Sequence, residues 1–120
     1  MIELTKVYPI HTGTPHLEGV EYLYSLSNAD GVYGEILFEI TPYFALIHPR
    51  LFKCNKTTLA ALRMALFEVG KPLLFGKYEF DKAHFATTNH KLVKLLLGDK
   101  VKVETENLTP GIALYYYEAE

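Results

Sequence analysis

The 120-residue chain has a single cysteine, no tryptophan and a formal charge of only −2. With one thiol, Cys54, it forms no disulfide within itself and no four-cysteine zinc site, and nothing in its cysteine usage points to an oxidising compartment. The near balance of 12 Lys and Arg against 14 Asp and Glu leaves no broad basic surface of the kind that contact with a phosphate backbone requires, so nucleic acid is not the expected partner. No apolar run approaches the ~18 residues of a membrane span, and the start, MIELTKVYPI, lacks the charged and apolar regions of a signal peptide. The expectation is a cytoplasmic protein without a membrane contact. Internal repeats, low-complexity tracts and Gly/Ser linkers are also absent, which predicts one domain over residues 1–120.

What remains is an ordinary globular composition, 49% hydrophobic and 22% charged. Ile2 to Val7 alternates and is rich in β-branched residues, so it reads as a strand ended by Tyr8-Pro9 and the turn-prone HTGTPH. Glu18 to Ser27 fits a strand better than a brief helix. Asn28-Ala-Asp-Gly31 then supplies residues that tolerate positive φ and predicts a hairpin. Its second arm, Val32 to Ile40, sets Ile36, Phe38 and Ile40 on one face and Glu35 and Glu39 on the other. After a break at Thr41-Pro42, the apolar run Phe44 to Ile47 predicts a central strand buried on both faces and stopped by Pro49.

From Thr57 the period becomes helical. Leu59, Leu62, Leu66 and Val69 share a face, Asn55 or Thr57 caps the start, and Gly70 closes the end. The segment PLLFGKYEFD, from Pro72, fits either a short second helix or a strand. Lys82 to Thr87 reads as a strand. Thr88 or Asn89 caps another helix with Leu92, Val93, Leu96 and Leu97 inward and Gly98 at its end. Two last strands, Lys100 to Glu106 and Ile112 to Glu118, flank Thr109-Pro110-Gly111, which suits a type II turn. The predicted class is α/β in the α+β sense: a mixed, largely antiparallel sheet with a central parallel strand-helix-strand crossover and two main helices. The second helix is expected over the other sheet face or its edge.

The hairpin YSLSNADGVYGEILFEI, the strand ending in IHP, the helix from Thr57 and the helix of TNHKLVKLLLG come in an order that resembles the GNAT acyltransferase fold, over residues 20 to 118. The resemblance implies that a loop after the IHP strand holds the pyrophosphate of coenzyme A through backbone amides, and it places that loop on LFKCNKT, Leu51 to Thr57. The family's glycines are missing there. Glycine lets amides approach a phosphate closely because it has no Cβ, whereas Lys53, Cys54, Asn55 and Lys56 stand in this loop. Two lysines and a helix N-terminus still attract an anion; the plainer reading is an exposed loop with a capping residue. The resemblance also implies an Asn on the pantetheine arm, matched by Asn89, and a tyrosine acid two turns on, where this chain has Leu95-Leu96-Leu97. A departing thiolate finds no proton donor among these.

The reduced size, with the family's first two helices cut to the HTGTPHLEG stretch, is similar to small GNAT-like phage proteins and, more narrowly, to head-assembly proteins of short-tailed enterobacterial phages. That likeness implies a non-enzymatic part in virion morphogenesis. The partners would be other virion or assembly proteins or a second copy of the chain, in the host cytoplasm during assembly, with retention in the virion left open. No cofactor and no catalytic residue belong to this reading. The alternative it leaves open is an acetyl-CoA-dependent N-acetyltransferase, with Lys53, Lys56, Thr57 and Thr58 as phosphate contacts and Asn89 on the pantetheine arm.

Other groups carry less. Of five histidines, His11 and His16 fall in a loop and His84 and His90 straddle a strand-helix junction, none at a zinc spacing, so no metal is expected. His48, at the end of the central strand, would border the cleft between the parallel strands as a potential base. Cys54, beside Lys53 and Lys56 and ahead of a helix, has surroundings that lower a thiol pKa. Nine tyrosines and seven phenylalanines are many for this length. Tyr115-Tyr116-Tyr117 sets aromatics on both faces of the last strand, which predicts an interface with another chain or a cover by the second helix.

Overall fold

The alternating segments pair into one seven-stranded sheet in the order β1-β2-β3-β4-β5-β7-β6. The structure, a computed structural model, describes residues 1–11 and 18–119, without the side chains of residues 10, 11, 18 and 105–109. The strands are β1 (Ile2–His11), β2 (Glu18–Asn28), β3 (Gly31–Ile40), β4 (Ala45–Leu51), β5 (Lys82–Thr87), β6 (Lys102–Thr109) and β7 (Ile112–Glu118). Every neighbouring pair is antiparallel except β4 and β5, which are parallel and meet at one register pair, Leu46 opposite His84. Beyond that pair the two strands part, and the helix α1 (Lys56–Ala65) starts after the loop that leaves β4. A mixed α+β fold follows.

Turn chemistry fixes the hairpins. Gly31 has φ 114° and the Asn28 side chain accepts from the amide of Asp30 at 2.9 Å, an Asx turn closing β2 onto β3. Gly111 has φ 82°, the value that the third position of a Pro-Gly type II turn requires. Between β3 and β4, the Thr41 hydroxyl accepts from the amides of Tyr43 and Phe44, so a buried side chain replaces the ladder where Pro42 interrupts it.

Two of the prolines expected to end strands, Pro9 and Pro49, lie inside them. Pro9 is in β1, an edge strand with no outer neighbour whose ladder a missing donor would break. Pro49 stands opposite Ile36 of β3 and three residues past Leu46, where β4 has already left β5. Nor is β4 buried on both faces. Ala45 and Ile47 are buried while Leu46 and His48 are half-exposed, the alternation of a strand covered on one side.

The first helix also runs past its expected end. Asn55, not Thr57, caps α1, and the chain continues through Gly70 and Pro72 as a wide helix, Leu66–Lys77, whose turns bond five residues back. Such turns no longer use the carbonyl four residues back, which a proline ring would crowd in an α-helix. Gly70 serves another purpose: a Cβ there would lie 3.2 Å from Cε1 of Phe38, so glycine lets the helix rest on the sheet. The segment from Pro72 is therefore helical as far as Lys77. Glu79, at φ 56°, turns the chain into β5.

The helix α2 (His90–Leu97) is capped by Asn89 and ends at Gly98, φ 57°. A 3-10 turn over Gly98–Lys100 delays the start of β6 to Lys102. The helix lies on the same sheet face as α1, not on the opposite face. Arg63 of α1 donates to the carbonyls of Leu95 and Leu96, and His90 of α2 meets the Tyr115 hydroxyl at 2.8 Å. One core results, built around the fully buried Phe38, Phe85, Leu26, Ile36, Ile47, Leu62, Leu66 and Leu74. The other face of the sheet, with Leu23, Leu37, Leu46, His48, His84, Leu114 and Tyr116, carries no second layer among the described residues and is half-exposed.

Candidate functional site

Where β4 leaves β5, a cavity of about 330 Å³ opens between the strand end, the loop after it and the start of α2. Pro49, Arg50, Leu51, Cys54, Asn89 and Leu92 line it. The fold thus brings Asn89 and Cys54, 35 positions apart in sequence, to one opening. Parting parallel strands leave such a gap because neither can supply the other's ladder, and ligands bind at such places in open α/β sheets.

Several of the loop's own amides are occupied. Those of Phe52 and Lys53 donate to the Tyr33 carbonyl at 2.9 and 3.3 Å. The Asn55 amide donates to the Thr58 hydroxyl and the Thr58 amide to the Asn55 side chain, each at 2.9 Å, a reciprocal capping box. Thr58 is 3% exposed and its hydroxyl also donates to the Asn55 carbonyl, so its side chain is committed to the cap. Lys53, Lys56 and Thr57 are exposed and do not line the cavity. Asn89 does line it, but its side-chain oxygen Oδ1 already accepts from the Leu92 amide at 3.2 Å.

Further along α2, where the family likeness sets a tyrosine, Leu96 and Leu97 are buried in the core and Leu95 is exposed. None carries a proton to give. His48 projects from the half-exposed face, its Nε2 2.9 Å from Glu39 Oε1 at ion-pair distance without hydrogen-bond alignment, and does not line the cavity. Cys54 is exposed and is not joined there by a histidine, so no nucleophile-base pair forms.

The three consecutive tyrosines divide between the faces. Tyr115 and Tyr117 are 5% and 4% exposed under the helical layer, Tyr115 bonded to His90 and Tyr117 packed edge-on against Phe75. Of the expected interface residues only Tyr116 reaches the half-exposed face, where Lys82 Nζ stands 4.7 Å from its ring centre. Beside it, His84 Nε2 pairs with Glu104 Oε2 at 2.6 Å, and a bulge between Val103 and Thr105 accompanies this contact. Among the described residues no three His, Cys, Asp or Glu side chains gather to hold a metal. His16 lies outside the described residues, as does the side chain of His11.

One cluster has no forerunner in the sequence pattern. Tyr22 of β2 and Tyr78 share a hydrogen bond of 2.6 Å, and Lys77 donates to the Tyr22 hydroxyl at 3.2 Å while lying over both rings. Burial and the bond to Tyr22 push the Tyr78 phenol up to about 12. For Tyr22, burial raises the pKa, but the hydrogen bonds from Tyr78 and Lys77 and the lysine charge outweigh it and the phenol sits below its usual value. The 55-residue separation of Lys77 from Tyr22 hides the contact from any local reading.

Comparison with protein-family models, with curated proteins and with solved structures finds no match to the chain. No helix among the described residues is long and apolar enough to cross a membrane.

Proposed function

We propose that the chain is a non-enzymatic assembly factor that works through protein-protein contacts on a GNAT-like frame, in the maturation of a phage head. The observation that carries the reading is the state of the loop from Leu51 to Thr57. Within it the amides of Phe52, Lys53 and Asn55, and just past it that of Thr58, already have partners within the chain. A diphosphate cradle needs several adjacent free amides, and freeing these would undo both a helix cap and the β3 contact. The half-exposed sheet face, with Tyr116 among leucines and His-Glu pairs, offers a surface for a partner protein or a second copy, because a tyrosine gives large contact area at low entropic cost. On this reading the protein acts in the host cytoplasm during assembly, with no cofactor.

A specific feature favours a second reading, an N-acetyltransferase taking acetyl-CoA: the cavity at the parting of β4 and β5 has Asn89 and Cys54 on its walls. Calorimetry with acetyl-CoA and desulfo-CoA separates the two. The assembly reading expects no heat at millimolar ligand; micromolar binding that falls in a Lys53→Ala, Lys56→Ala double variant supports the enzyme instead. In infected cells, loss of the gene is expected to leave particles that mature abnormally or lack internal proteins. Normal infectious yield without the protein contradicts an assembly role.

A further inference from the structure

Inside the edge strands, two charges on the half-exposed face of the sheet lack a partner of opposite sign, and they stand on opposite sides of its middle strand, β4. Glu21 of β2 lies directly opposite Glu39 of β3, and like charges so placed destabilise a strand pair. Glu39 has His48 Nε2 at 2.9 Å and Glu35 is paired with Arg50, whereas Glu21 makes no ion pair among the described residues. Across β4, His84 pairs with Glu104 and Lys102 with Glu118. Lys82 makes no ion pair among the described residues; its Nζ stands 4.7 Å from the ring centre of Tyr116. On the outermost strand β1, Glu3 and Lys6 offset each other in charge.

This face is complementary to itself. Because β4 is central among the seven strands, a two-fold axis running along it in the plane of a contact sets β3 of one copy over β5 of the other and β2 over β7. The ladder row that holds Leu46 runs through Glu39 and Glu21 on one side and through His84 and Tyr116 on the other. Under that rotation Glu21 of one copy comes over Tyr116 and Lys82 of the second, and Glu39 comes over His84. Leu23, two residues from Glu21, comes over Leu114, two residues from Tyr116 in the same direction. The area suffices as well. Strands about 4.8 Å apart with a rise of about 3.3 Å per residue give seven strands of six residues a projected face of about 650 Å². Accessible surface exceeds its projection, so the face reaches the about 800 Å² per partner of a stable interface.

We propose that the half-exposed face is the contact between two copies of this chain, packed sheet on sheet about a two-fold axis along β4, with Glu21 of each copy paired to Lys82 of the other. The leucines supply the affinity and the two symmetry-related ion pairs fix the register, because a desolvated ion pair adds little net binding yet penalises misaligned contacts. A foreign protein gives no reason for two unpaired charges of opposite sign to flank β4; a second copy does. The inference deepens the assembly reading, on whose docking face it rests, by naming the occupant.

The test is sedimentation equilibrium of the full chain at neutral pH. A monomer-dimer equilibrium in the micromolar range is expected, so that dilute chain is monomeric. Glu21→Lys and Lys82→Glu are each expected to weaken it at least about tenfold, since each sets like charges together twice per dimer. Misfolding does not explain such a loss in Glu21→Lys, because that variant relieves the contact with Glu39. Three strand spacings, about 14 Å, separate β2 from β5 within one chain, so the two positions meet only between copies. An equimolar mixture of the two single variants is therefore expected to form a heterodimer within about threefold of the wild-type affinity, both contacts having regained opposite charges. A chain that stays monomeric up to about 1 mM overturns the proposal. So does a wild-type dimer that neither reversal weakens, or a mixture that stays monomeric where wild type dimerises. A monomer that still co-purifies with head proteins overturns the dimer and leaves the assembly reading standing. A dimer with the expected charge response, in a chain whose loss leaves infectious yield normal, removes the assembly reading and keeps the dimer.

Discussion

The two faces of the sheet are built from the same strands yet have different fates. On β3, Ile36, Phe38 and Ile40 are buried under the helices, while Glu35, Leu37 and Glu39, alternating with them, stay half-exposed. The covered face gains its stability from close packing, since the side chains there have no route to water. The other face holds leucines between polar groups, among them the ion pair of Arg50 with Glu35 and His48 close to Glu39, and charge on such a face limits unwanted association. Stability thus resides on one side, and the other is the one that the proposed docking would use.

The largest expected effect separates them within one strand. Phe38→Ala removes a fully buried ring that touches Tyr24 edge-on and supports Gly70, and should cost about 3 to 5 kcal/mol. Leu37→Ala, one residue away on the other face, should cost less, about 1.5 kcal/mol, because that side chain is only partly buried. Urea unfolding of both variants checks the contrast. Equal losses would mean that both faces are covered in solution.

Gly70→Ala sharpens the same point at the helix-sheet contact. Alanine favours a helix by about 1 kcal/mol over glycine, but its Cβ would press on Phe38, whose ring is fully buried and has nowhere to move. Overpacking of this kind costs about 1 to 3 kcal/mol, so a net loss of about 1 kcal/mol is expected. In a Phe38→Leu background the same substitution should turn neutral or stabilising. A stabilised single variant would show that the helix lies farther from the sheet.

These positions also mark what the sequence discloses and what it conceals. Features set by a few adjacent residues are legible: the Asn55 and Asn89 caps, the stop at Gly98, the Pro110-Gly111 turn and the alternation through Ile36, Phe38 and Ile40. Misleading positions are those whose meaning depends on a distant neighbour. Gly70 resembles a helix stop until Phe38 is set against it, and Pro49 resembles a strand stop until β5 is seen to have parted from β4. The opening where β4 leaves β5 is half legible, since the strand, loop and capped helix around it follow from local pattern, whereas the occupation of two loop amides by Tyr33 depends on β3. Tyr115 and Tyr117 are covered by elements that local pattern cannot orient.

The smallest effect on folding should accompany the largest effect on docking. Tyr116→Glu replaces a half-exposed ring that meets Lys82 and His84, and the lost cation-π contact is worth about 0.5 to 1 kcal/mol at such a site. The new carboxylate would face Lys102 across the strand pair, with Lys82 nearby, which offsets part of that loss. A melting temperature within a few degrees of wild type is therefore expected. Association should suffer more, because a charge at the centre of an apolar contact is desolvated without a matching partner. Sedimentation of the variant and its co-purification with head proteins measure this directly. An unchanged profile would remove Tyr116 from the interface and leave the half-exposed face without its aromatic anchor.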